Sequence, residues 1–257
     1  MGAADLYRLD GRVAVVTGAA RGIGEVISRH LGELGATVVM ADRLPLVEQT
    51  AATLADEGIK TAWDLLDVTD RQGVDDFVAR VVERHGAIDC LVANAGVANE
   101  ALTVDHTDEQ WRQVMDVNCD GVFYVLRAVG RQMVKQQRGS IVAISSIAGV
   151  KYVRPERHLG YDVSKAAVAH MCRVLGCEWA PEGVRVNAVG PGYTDTEMLA
   201  EVGRAKPEVL KMWLDDIPMG RLLDRREIAS SVAFLLSDAA SGITGHLLMA
   251  DAGYSVS

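Results

Sequence analysis

The chain reads Arg12-Val13-Ala14-Val15-Val16-Thr17-Gly18-Ala19-Ala20-Arg21-Gly22-Ile23-Gly24 at residues 12–24, where a β-branched apolar run meets a loop with three glycines. The run is typical of a buried parallel strand. Apolar residues then recur at helical spacing until Gly35 ends the predicted helix. A glycine loop between strand and helix lets the backbone approach a pyrophosphate at a helix N-terminus. The stretch therefore predicts a dinucleotide site that includes Gly18, Arg21, Gly22, Ile23 and Gly24.

The next predicted strand, residues 37–41, ends at Asp42. A carboxylate at this point can accept hydrogen bonds from an adenosine ribose and would repel a 2′-phosphate. We therefore expect the cofactor to be NAD. Arg21 and Arg43 count against this expectation, because either could pair with a 2′-phosphate. NADP stays open as the less favoured cofactor.

Strand and helix patterns alternate along the rest of the chain. Further strands are predicted at residues 61–66, 88–93, 140–145, 184–189 and 247–250. Helices are predicted at residues 45–57, around 74–82, from 107, at 161–179 and at 227–236. This alternation, without a linker or repeat, predicts one α/β domain over residues 1–257 with a doubly wound (Rossmann) parallel sheet. Residues 194–221 are the least regular part and are expected to form a mobile, lid-like cover.

Polar or glycine-containing segments follow several strands, at the edge of the sheet where open parallel sheets bind ligands. Asn94 is expected to bond neighbouring backbone, and Gly96 to let a cofactor pass close to the chain. Two threonines after the sixth strand could bond a cofactor amide or cap the following helix. The segments are Asp67-Val68 (where an adenine could lie), Asn94-Ala95-Gly96, Ser146, Pro191-Gly192, and Thr194 with Thr196.

Tyr161 and Lys165 are four residues apart and would share one face of a helix. A lysine cation near a phenol favours the phenolate and lowers the phenol's pKa. Tyr161 could then exchange a proton with a substrate oxygen. Asn118 lies in the middle of a predicted helix, where asparagine is mildly unfavourable. Its side chain is expected either to satisfy a local backbone group or to hold a water molecule.

Composition excludes several classes of protein. The formal net charge of −9 argues against a nucleic-acid partner. The first residues lack an apolar signal core, and no run approaches the ~20 apolar residues of a membrane span. The scattered histidines show no ligand spacing, so no metal site is expected. Four cysteines without a CxxC pair are typical of a reduced compartment, and a cytoplasmic location is predicted.

Taken together, these motifs resemble the short-chain dehydrogenase/reductase family over essentially the whole chain. The motifs appear in the family's order and spacing: Thr17-Gly18-x-x-x-Gly22-Ile23-Gly24, Asn94-Ala95-Gly96, Asn118, Ser145-Ser146, Tyr161-x-x-x-Lys165 and Pro191-Gly192. The resemblance implies a seven-stranded doubly wound sheet, hydride transfer between a nicotinamide and an alcohol or carbonyl carbon, and a homotetramer. In the tetramer, helices 111–123 and 161–179 would pair across one interface.

The same resemblance implies four catalytic residues. Tyr161 would be the acid/base, and Lys165 would bind the nicotinamide ribose and lower the pKa of Tyr161. Ser146 would bond the substrate oxygen, and Asn118 would hold a water in a proton relay. The family commonly places the serine 13 residues before the tyrosine, where this chain has Ala148. We assign Ser146 from its place at the end of a strand, with Ser145 as the alternative.

Within the family the chain resembles bacterial polyol and sugar dehydrogenases, galactitol dehydrogenases among them. Polar substrate contacts are expected from Asn99, Arg154, His158 and Tyr193, besides Ser146. The alternative for Asn99, Arg154 and His158 is that they are rim residues facing solvent. The alternative is a 3-oxoacyl thioester reductase that uses NADPH, which shares every catalytic motif; Asp42 and the acidic charge count against it. A non-catalytic dinucleotide sensor is a third hypothesis. The segments behind the polyol resemblance are 7–11, 111–118, Arg154-Pro155, 192–193, Glu197-Met198, 213–215 and 218–221.

Overall fold

A computed structural model describes residues 2–257, apart from the side chains of Met198 and Ala200. Seven strands and nine α-helices alternate along the described chain. The strands are β1 (Val13–Thr17), β2 (Thr37–Asp42), β3 (Thr61–Leu65), β4 (Cys90–Ala93), β5 (Gly139–Ile144), β6 (Val184–Pro191) and β7 (Leu247–Ala250). The helices are α1 (Gly22–Glu33), α2 (Leu46–Asp56), α3 (Arg71–His85), α4 (Asp108–Met115), α5 (Val122–Gln136), α6 (Leu159–Glu178), α7 (Glu197–Ala205), α8 (Pro207–Asp216) and α9 (Arg225–Leu236).

The strands form one parallel sheet in the order β3-β2-β1-β4-β5-β6-β7. Val15 of β1 pairs with Val39 of β2 on one side and with Leu91 of β4 on the other. The chain reverses its direction of travel across the sheet between β1 and β4, which makes a crevice at the carboxyl ends of these strands. The predicted α/β class, the seven parallel strands and the doubly wound order are confirmed.

Apolar side chains cover both faces of this sheet. All five residues of β1 are buried, as the β-branched run predicts for a strand enclosed on both sides. Ile27 and Leu31 of α1 pack on one face, together with α9, and Phe77 of α3 and Leu126 of α5 pack on the other. A third cluster lies beyond the carboxyl ends of the strands, where Ile147, Tyr193, Trp213, Ile217 and Tyr254 pack around Tyr161.

Local signals explain where several helices begin. Thr107 and Gln110 form a reciprocal capping box at α4, and Asp224 and Glu227 form another at α9. α6 begins at Leu159, two residues earlier than the sequence predicts, so Tyr161 lies in its first turn.

None of the helices within the described residues combines the length and the apolar composition needed to cross a bilayer.

Two parts of the chain differ from the sequence-based prediction. The prediction of irregular structure in residues 194–221 is wrong, because α7 and α8 occupy most of this segment. The helix predicted from residue 107 is not continuous either, since a π-helical turn at Asp116–Gly121 separates α4 from α5. This π turn contains Asn118. The prediction that residues 194–221 form a mobile lid remains a prediction.

Candidate active site

The glycine loop is fixed by hydrogen bonds between the ends of β1 and β4. The Asn94 side chain donates to the Thr17 and Gly18 carbonyls at 3.0 and 2.9 Å, and the Thr17 hydroxyl accepts from the Asn94 and Ala95 amides. Gly18 has a φ of +67°, and a Cβ there would lie 2.8 Å from Ala95 Cα. Only glycine therefore fits this turn. The structural role predicted for Asn94 is confirmed.

The N-terminus of α1 follows this loop and contains Gly22, Ile23 and Gly24. No side chain caps it, because Arg21 at the N-cap is exposed and makes no capping hydrogen bond. The first-turn N–H groups of a helix have no partner within the helix and attract anions. The uncapped helix end and the side-chain-free turn at Gly18 fit the pyrophosphate of a dinucleotide.

Asp42 lies at the carboxyl end of β2, beside the glycine loop. Its carboxylate accepts hydrogen bonds from the Ala20 and Leu44 amides, each at 3.0 Å. Each oxygen thus has one protein donor and one lone pair left for a ribose hydroxyl. Arg43 is exposed and acts on Asp67, where it helps to lower the pKa of that carboxyl.

Asp67 and Val68 follow β3, at the position predicted to border an adenine. The Asp67 carboxylate accepts from the Thr69 amide at 2.9 Å and from the Thr69 hydroxyl at 2.7 Å, and these bonds lower its pKa. Val68 is buried, and a Cβ at Gly121 would lie 2.7 Å from its Cγ2. Asp67 therefore shapes the turn, while Val68 packs against the π turn that carries Asn118.

Tyr161 and Lys165 share one face of α6, as predicted. Lys165 is only 3% exposed, and its Nζ donates to the Ile144 carbonyl at the end of β5 at 2.8 Å. This Nζ lies 5.5 Å from the centroid of the Tyr161 ring. Burial lowers the pKa of Lys165 to about 8. The ammonium is therefore held by one backbone carbonyl and has N–H groups left for a ligand.

The pKa of Tyr161 differs in direction from the sequence-based expectation. Burial of the phenol raises its pKa above the usual value; hydrogen bonding with Ser146 acts in the opposite direction, and the Asp162 charge adds to the rise. With the protein's own groups alone, desolvation is the largest effect on the phenol and disfavours its anion. Tyr161 is thus a protonated donor at neutral pH unless binding partners stabilise its anion.

Asn118 is fully buried and uses its side chain on the protein. Its Oδ1 accepts from the Val97 amide, and its Nδ2 donates to the Val97 carbonyl, both at 2.8 Å. Nδ2 also donates to the Ser164 hydroxyl at 3.0 Å. Asn118 thus satisfies backbone groups, but they belong to Val97, 21 residues away, and not to its own helix as the first alternative supposes. A Cβ on Gly96 would lie 3.3 Å from Asn118 Oδ1 and 3.4 Å from Lys165 Nζ, so these three residues meet at one point.

The two serines after β5 have different partners. The Ser145 hydroxyl is buried and donates to the Lys165 carbonyl at 2.7 Å. The Ser146 oxygen accepts from the Ala148 amide at 3.1 Å, which leaves its hydrogen free to donate. Ser146 also hydrogen-bonds with the Tyr161 phenol, which lowers the pKa of the phenol, whereas Ser145 connects β5 to α6. The geometry supports Ser146 as the serine that faces the phenol.

The end of β6 approaches the last turn of the chain. A Cβ on Gly192 would lie 2.7 Å from Asp251 Cα, so the glycine permits this contact. The Thr194 hydroxyl donates to the Gly192 carbonyl at 2.9 Å. The Thr196 oxygen accepts from the Leu199 amide and caps α7. Of the two roles considered for these threonines, capping is confirmed for Thr196, while Thr194 fixes the turn after Pro191.

Comparison with known proteins shows which family the chain belongs to. A family model described as enoyl-(acyl carrier protein) reductase matches residues 18–255. Galactitol 2-dehydrogenase of Rhizobium johnstonii is 41% identical, with 97% of each chain covered. The chain belongs to the short-chain dehydrogenase/reductase family. A 3-oxoacyl-[acyl-carrier-protein] reductase of Thermotoga maritima is 38% identical, with 96% of this chain and 98% of the relative covered.

Solved structures agree with this assignment. The crystal structure of gox2181 superimposes with a TM-score of 0.96 at 42% identity, with 99% of each chain covered. NAD⁺-bound xylitol dehydrogenase has a TM-score of 0.90 at 34% identity, with 95% of this chain and 99% of that chain covered. A putative gluconate 5-dehydrogenase of Beutenbergia cavernae with bound NADP has a TM-score of 0.93 at 34% identity, with coverage of 98% and 100%. The enzyme is thus an NAD(P)-binding oxidoreductase.

Four further residues were predicted to contact the substrate, and the enzyme uses most of their polar atoms internally. Asn99 Nδ2 donates to the Gln110 carbonyl at 2.7 Å, while its Oδ1 is buried without a described partner. Arg154 is paired with Asp216 of α8 at 3.2 Å.

The other two lie in packed surroundings. The Tyr193 hydroxyl lies 3.0 Å from the Arg154 carbonyl and from Glu156, and the ring stacks on Trp213 at 4.7 Å. His158 contacts Asp162 and the Tyr161 ring. Asn99 therefore keeps a free polar atom, whereas Tyr193 is part of the third apolar cluster.

Sequence reasoning missed two residues of the site. Ser164 is fully buried, accepts from Asn118 and donates to the Tyr161 carbonyl at 2.7 Å, so it links the π turn to the first turn of α6. Asp162 follows Tyr161 directly and faces His158. The spacing of four between His158 and Asp162 was the signal that could have revealed this pair.

Proposed function

We propose that the enzyme oxidises a secondary alcohol group of a polyol or sugar and uses NAD. The observation that carries this proposal is that Ser146 and Lys165 both lie near the Tyr161 phenol, with the Lys165 ammonium beside Gly96. A hydroxyl donor, a phenol and a buried ammonium meet there, next to a glycine where the backbone leaves room for a nicotinamide ribose. The galactitol 2-dehydrogenase relative supports the class of substrate.

The chain's own residues can bind, orient and deprotonate an alcohol. The bound nicotinamide supplies the hydride acceptor. The Ser146 hydroxyl donates to the substrate oxygen and holds the reacting carbon in place. Tyr161, as phenolate, accepts the hydroxyl proton. Lys165 stabilises this phenolate through its charge, since its ammonium is buried near the ring.

NAD is the cofactor that Asp42 favours. Its carboxylate is anchored by two backbone amides beside the glycine loop, so a 2′-phosphate would meet a fixed negative charge there. The NAD⁺-bound xylitol dehydrogenase supports this preference, and the NADP-bound relative keeps the alternative open.

Polyol recognition needs polar groups near the reacting carbon. Asn99 Oδ1 is buried without a described partner, and an unpaired buried acceptor costs free energy. A substrate hydroxyl that donated to this oxygen would therefore be bound favourably. Arg154 lies at the rim, where its exposed guanidinium is shared with Asp216. We assign Asn99 and Arg154 to the polyol pocket.

A second candidate function is reduction of a 3-oxoacyl thioester with NADPH. The Thermotoga relative supports it, since it shares 38% of its residues over nearly the whole chain. The net charge of −9 disfavours an acidic carrier protein as partner.

The test is a parallel assay of oxidation and reduction. Reduced nicotinamide is followed with NAD or NADP and a panel of polyols and secondary alcohols, beside reduction of an acetoacetyl thioester. Tyr161→Phe should lower kcat by about 10²- to 10⁴-fold without loss of NAD affinity. Tyr152→Phe is the matched control, because this tyrosine is 67% exposed. Thioester reduction without polyol oxidation would refute the proposal, and tight NAD binding without any turnover would favour a sensor.

We further propose a cytoplasmic homotetramer. Large apolar side chains are exposed on the two segments expected to pair, namely Trp111 of α4 and Phe123 of α5 on one, and Val163 and Val174 of α6 on the other. Such residues are enriched where surfaces become buried on assembly. All four cysteines are free thiols, which fits a reducing compartment. Sedimentation of the wild type and of Phe123→Glu tests the assembly: a mass unchanged by the substitution would contradict pairing through this face.

A further inference from the structure

The loop before Tyr161 carries a histidine that faces the phenol. The rings of His158 and Tyr161 have centroids 5.2 Å apart and planes inclined by 55°. His158 Nδ1 lies 2.7 Å from Asp162 Oδ1, one helical turn further along the chain. Both atoms are buried, and apart from this short, poorly aligned contact neither has a hydrogen-bond partner among the described residues. Tyr161 therefore lies beside an imidazole and a carboxylate that the proposed chemistry does not use.

We propose that the His158–Asp162 pair sets the proton affinity of the Tyr161 phenol, with His158 acting as a positioning residue through Asp162. This inference rests on the proposed alcohol oxidation. With His158 protonated, the pair has no net charge; without that proton, it has a net charge of −1 beside the phenol. A negative charge disfavours a neighbouring phenolate. Loss of the imidazole proton thus keeps Tyr161 protonated to a higher pH.

The electrostatics of the site agree with this geometry. Burial raises the pKa of Asp162, and the His158 charge and hydrogen bond act against that rise. The pKa of Tyr161 is raised by burial, and then, after the opposing effect of Ser146, by the Asp162 charge. Asp162 is therefore the member of the pair whose charge acts directly on the phenol.

The other charged groups around Tyr161 lie on three elements. Lys165 of α6 faces the ring, with its Nζ 5.5 Å from the centroid. Glu156 of the preceding loop raises the pKa of Asp162, and its carboxylate accepts from the Tyr193 hydroxyl. Asp216 of α8 is paired with Arg154. None of these groups lies between His158 and Asp162, so a substitution in the pair changes one local charge.

Two single variants and their combination test the proposal. His158→Gln removes the protonatable imidazole but keeps a side chain that can donate to Asp162. Asp162→Asn removes the carboxylate charge at nearly constant shape. The first readout is kcat/KM for alcohol oxidation between about pH 6 and 10. The second is the near-ultraviolet phenolate absorbance, compared in each background with and without Tyr161→Phe. This second readout needs no turnover.

The two variants should shift the Tyr161 titration in opposite directions. In His158→Gln, kcat/KM should fall by up to about tenfold wherever the wild-type imidazole carries its proton and should match the wild type where it does not, because one pKa unit is tenfold in phenolate. In Asp162→Asn, the midpoint should move to lower pH, with a gain of about three- to tenfold where the phenol is mostly protonated. Adding His158→Gln to Asp162→Asn should have a smaller effect than His158→Gln alone, because the imidazole no longer has a carboxylate that favours its protonated form.

The outcomes separate this inference from the proposed function. Phenol titrations and rate profiles that superimpose on the wild type in both single variants would overturn the inference, even if polyols are oxidised. Shifted phenol titrations in an enzyme that oxidises no alcohol would leave the role of the pair intact and refute the proposed function. If one variant does not fold, the other still decides, because each predicts its own direction of shift.

Discussion

The Ser145 hydroxyl donates to the Lys165 carbonyl across 2.7 Å, so the residue next to the predicted catalytic serine is bound to the helix that carries Tyr161. Ser145 is 1% exposed, and its amide donates to the Val189 carbonyl of β6. Adjacent serines thus have different partners: Ser145 joins β5, β6 and α6, and Ser146 hydrogen-bonds with the Tyr161 phenol.

Alanine substitutions at the two serines should separate these tasks. Ser145→Ala leaves a buried carbonyl without its donor and should lower the free energy of unfolding by about 1–2 kcal/mol. Ser146→Ala should lower kcat by about 10²- to 10³-fold, because a donor to the substrate oxygen is lost. Urea unfolding and steady-state kinetics of both variants measure the two effects. The assignment of Ser146 would fail if Ser145→Ala caused the larger loss of kcat in folded protein.

Lys165 should make the free energy of unfolding depend on pH. Its folded-state pKa is about 8, below the usual value of 10.5, because burial disfavours the ammonium. A depressed lysine pKa destabilises the fold while the group is protonated, and this cost is released as pH rises through 8 towards 10.5. Between about pH 7 and 9.5, the wild type should gain roughly 2 kcal/mol relative to Lys165→Met.

Urea titrations of both proteins at the two pH values provide the measurement. Lys165→Met removes the titrating group and keeps most of the apolar stem. It also leaves the Ile144 carbonyl without a donor, but that loss is the same at both pH values. A difference between the two proteins that stays constant with pH would contradict the lowered pKa.

Much of this architecture follows from patterns that are local in sequence. The β-branched run at 12–17, the glycine loop and the apolar spacing of α1 depend on neighbouring residues, so they could be predicted. The strand ends then place Asp42, Ser146 and Asn94 on one edge of the sheet without any knowledge of contacts. Tyr161 and Lys165 follow from helical spacing alone.

Other features depend on contacts between distant residues. The Asp42 carboxylate binds the Ala20 amide, 22 residues away, and no sequence pattern announces this bond. The π turn at Asp116–Gly121 is visible in the sequence only as an unfavourable Asn118. The direction of the Tyr161 pKa could not be predicted, because desolvation depends on packing by residues from several elements.

Asp42 should control the choice of cofactor. Asp42→Asn removes the charge that would repel a 2′-phosphate, while its amide oxygen can still accept from a loop N–H. The ratio of kcat/KM with NADP to that with NAD should rise at least about tenfold, the effect of roughly 1.4 kcal/mol. Asp64→Asn is the charge-matched control, because Asp64 lies on β3 and pairs with Arg80. An unchanged ratio in Asp42→Asn would show that the preference arises elsewhere.

Tyr193 should stabilise the third apolar cluster rather than recognise a polyol. Its hydroxyl lies within 3.0 Å of the Arg154 carbonyl and of Glu156, so its one hydrogen is already used on the protein. Tyr193→Phe keeps the stack on Trp213 and should lower the free energy of unfolding by about 1 kcal/mol. The ratio of kcat/KM for a polyol to that for a simple secondary alcohol should not change. Unfolding titrations measure the first effect, and kinetics with both substrates measure the second. Tyr7→Phe is the control, because Tyr7 is half-exposed. A loss confined to the polyol would mean that the hydroxyl binds substrate directly.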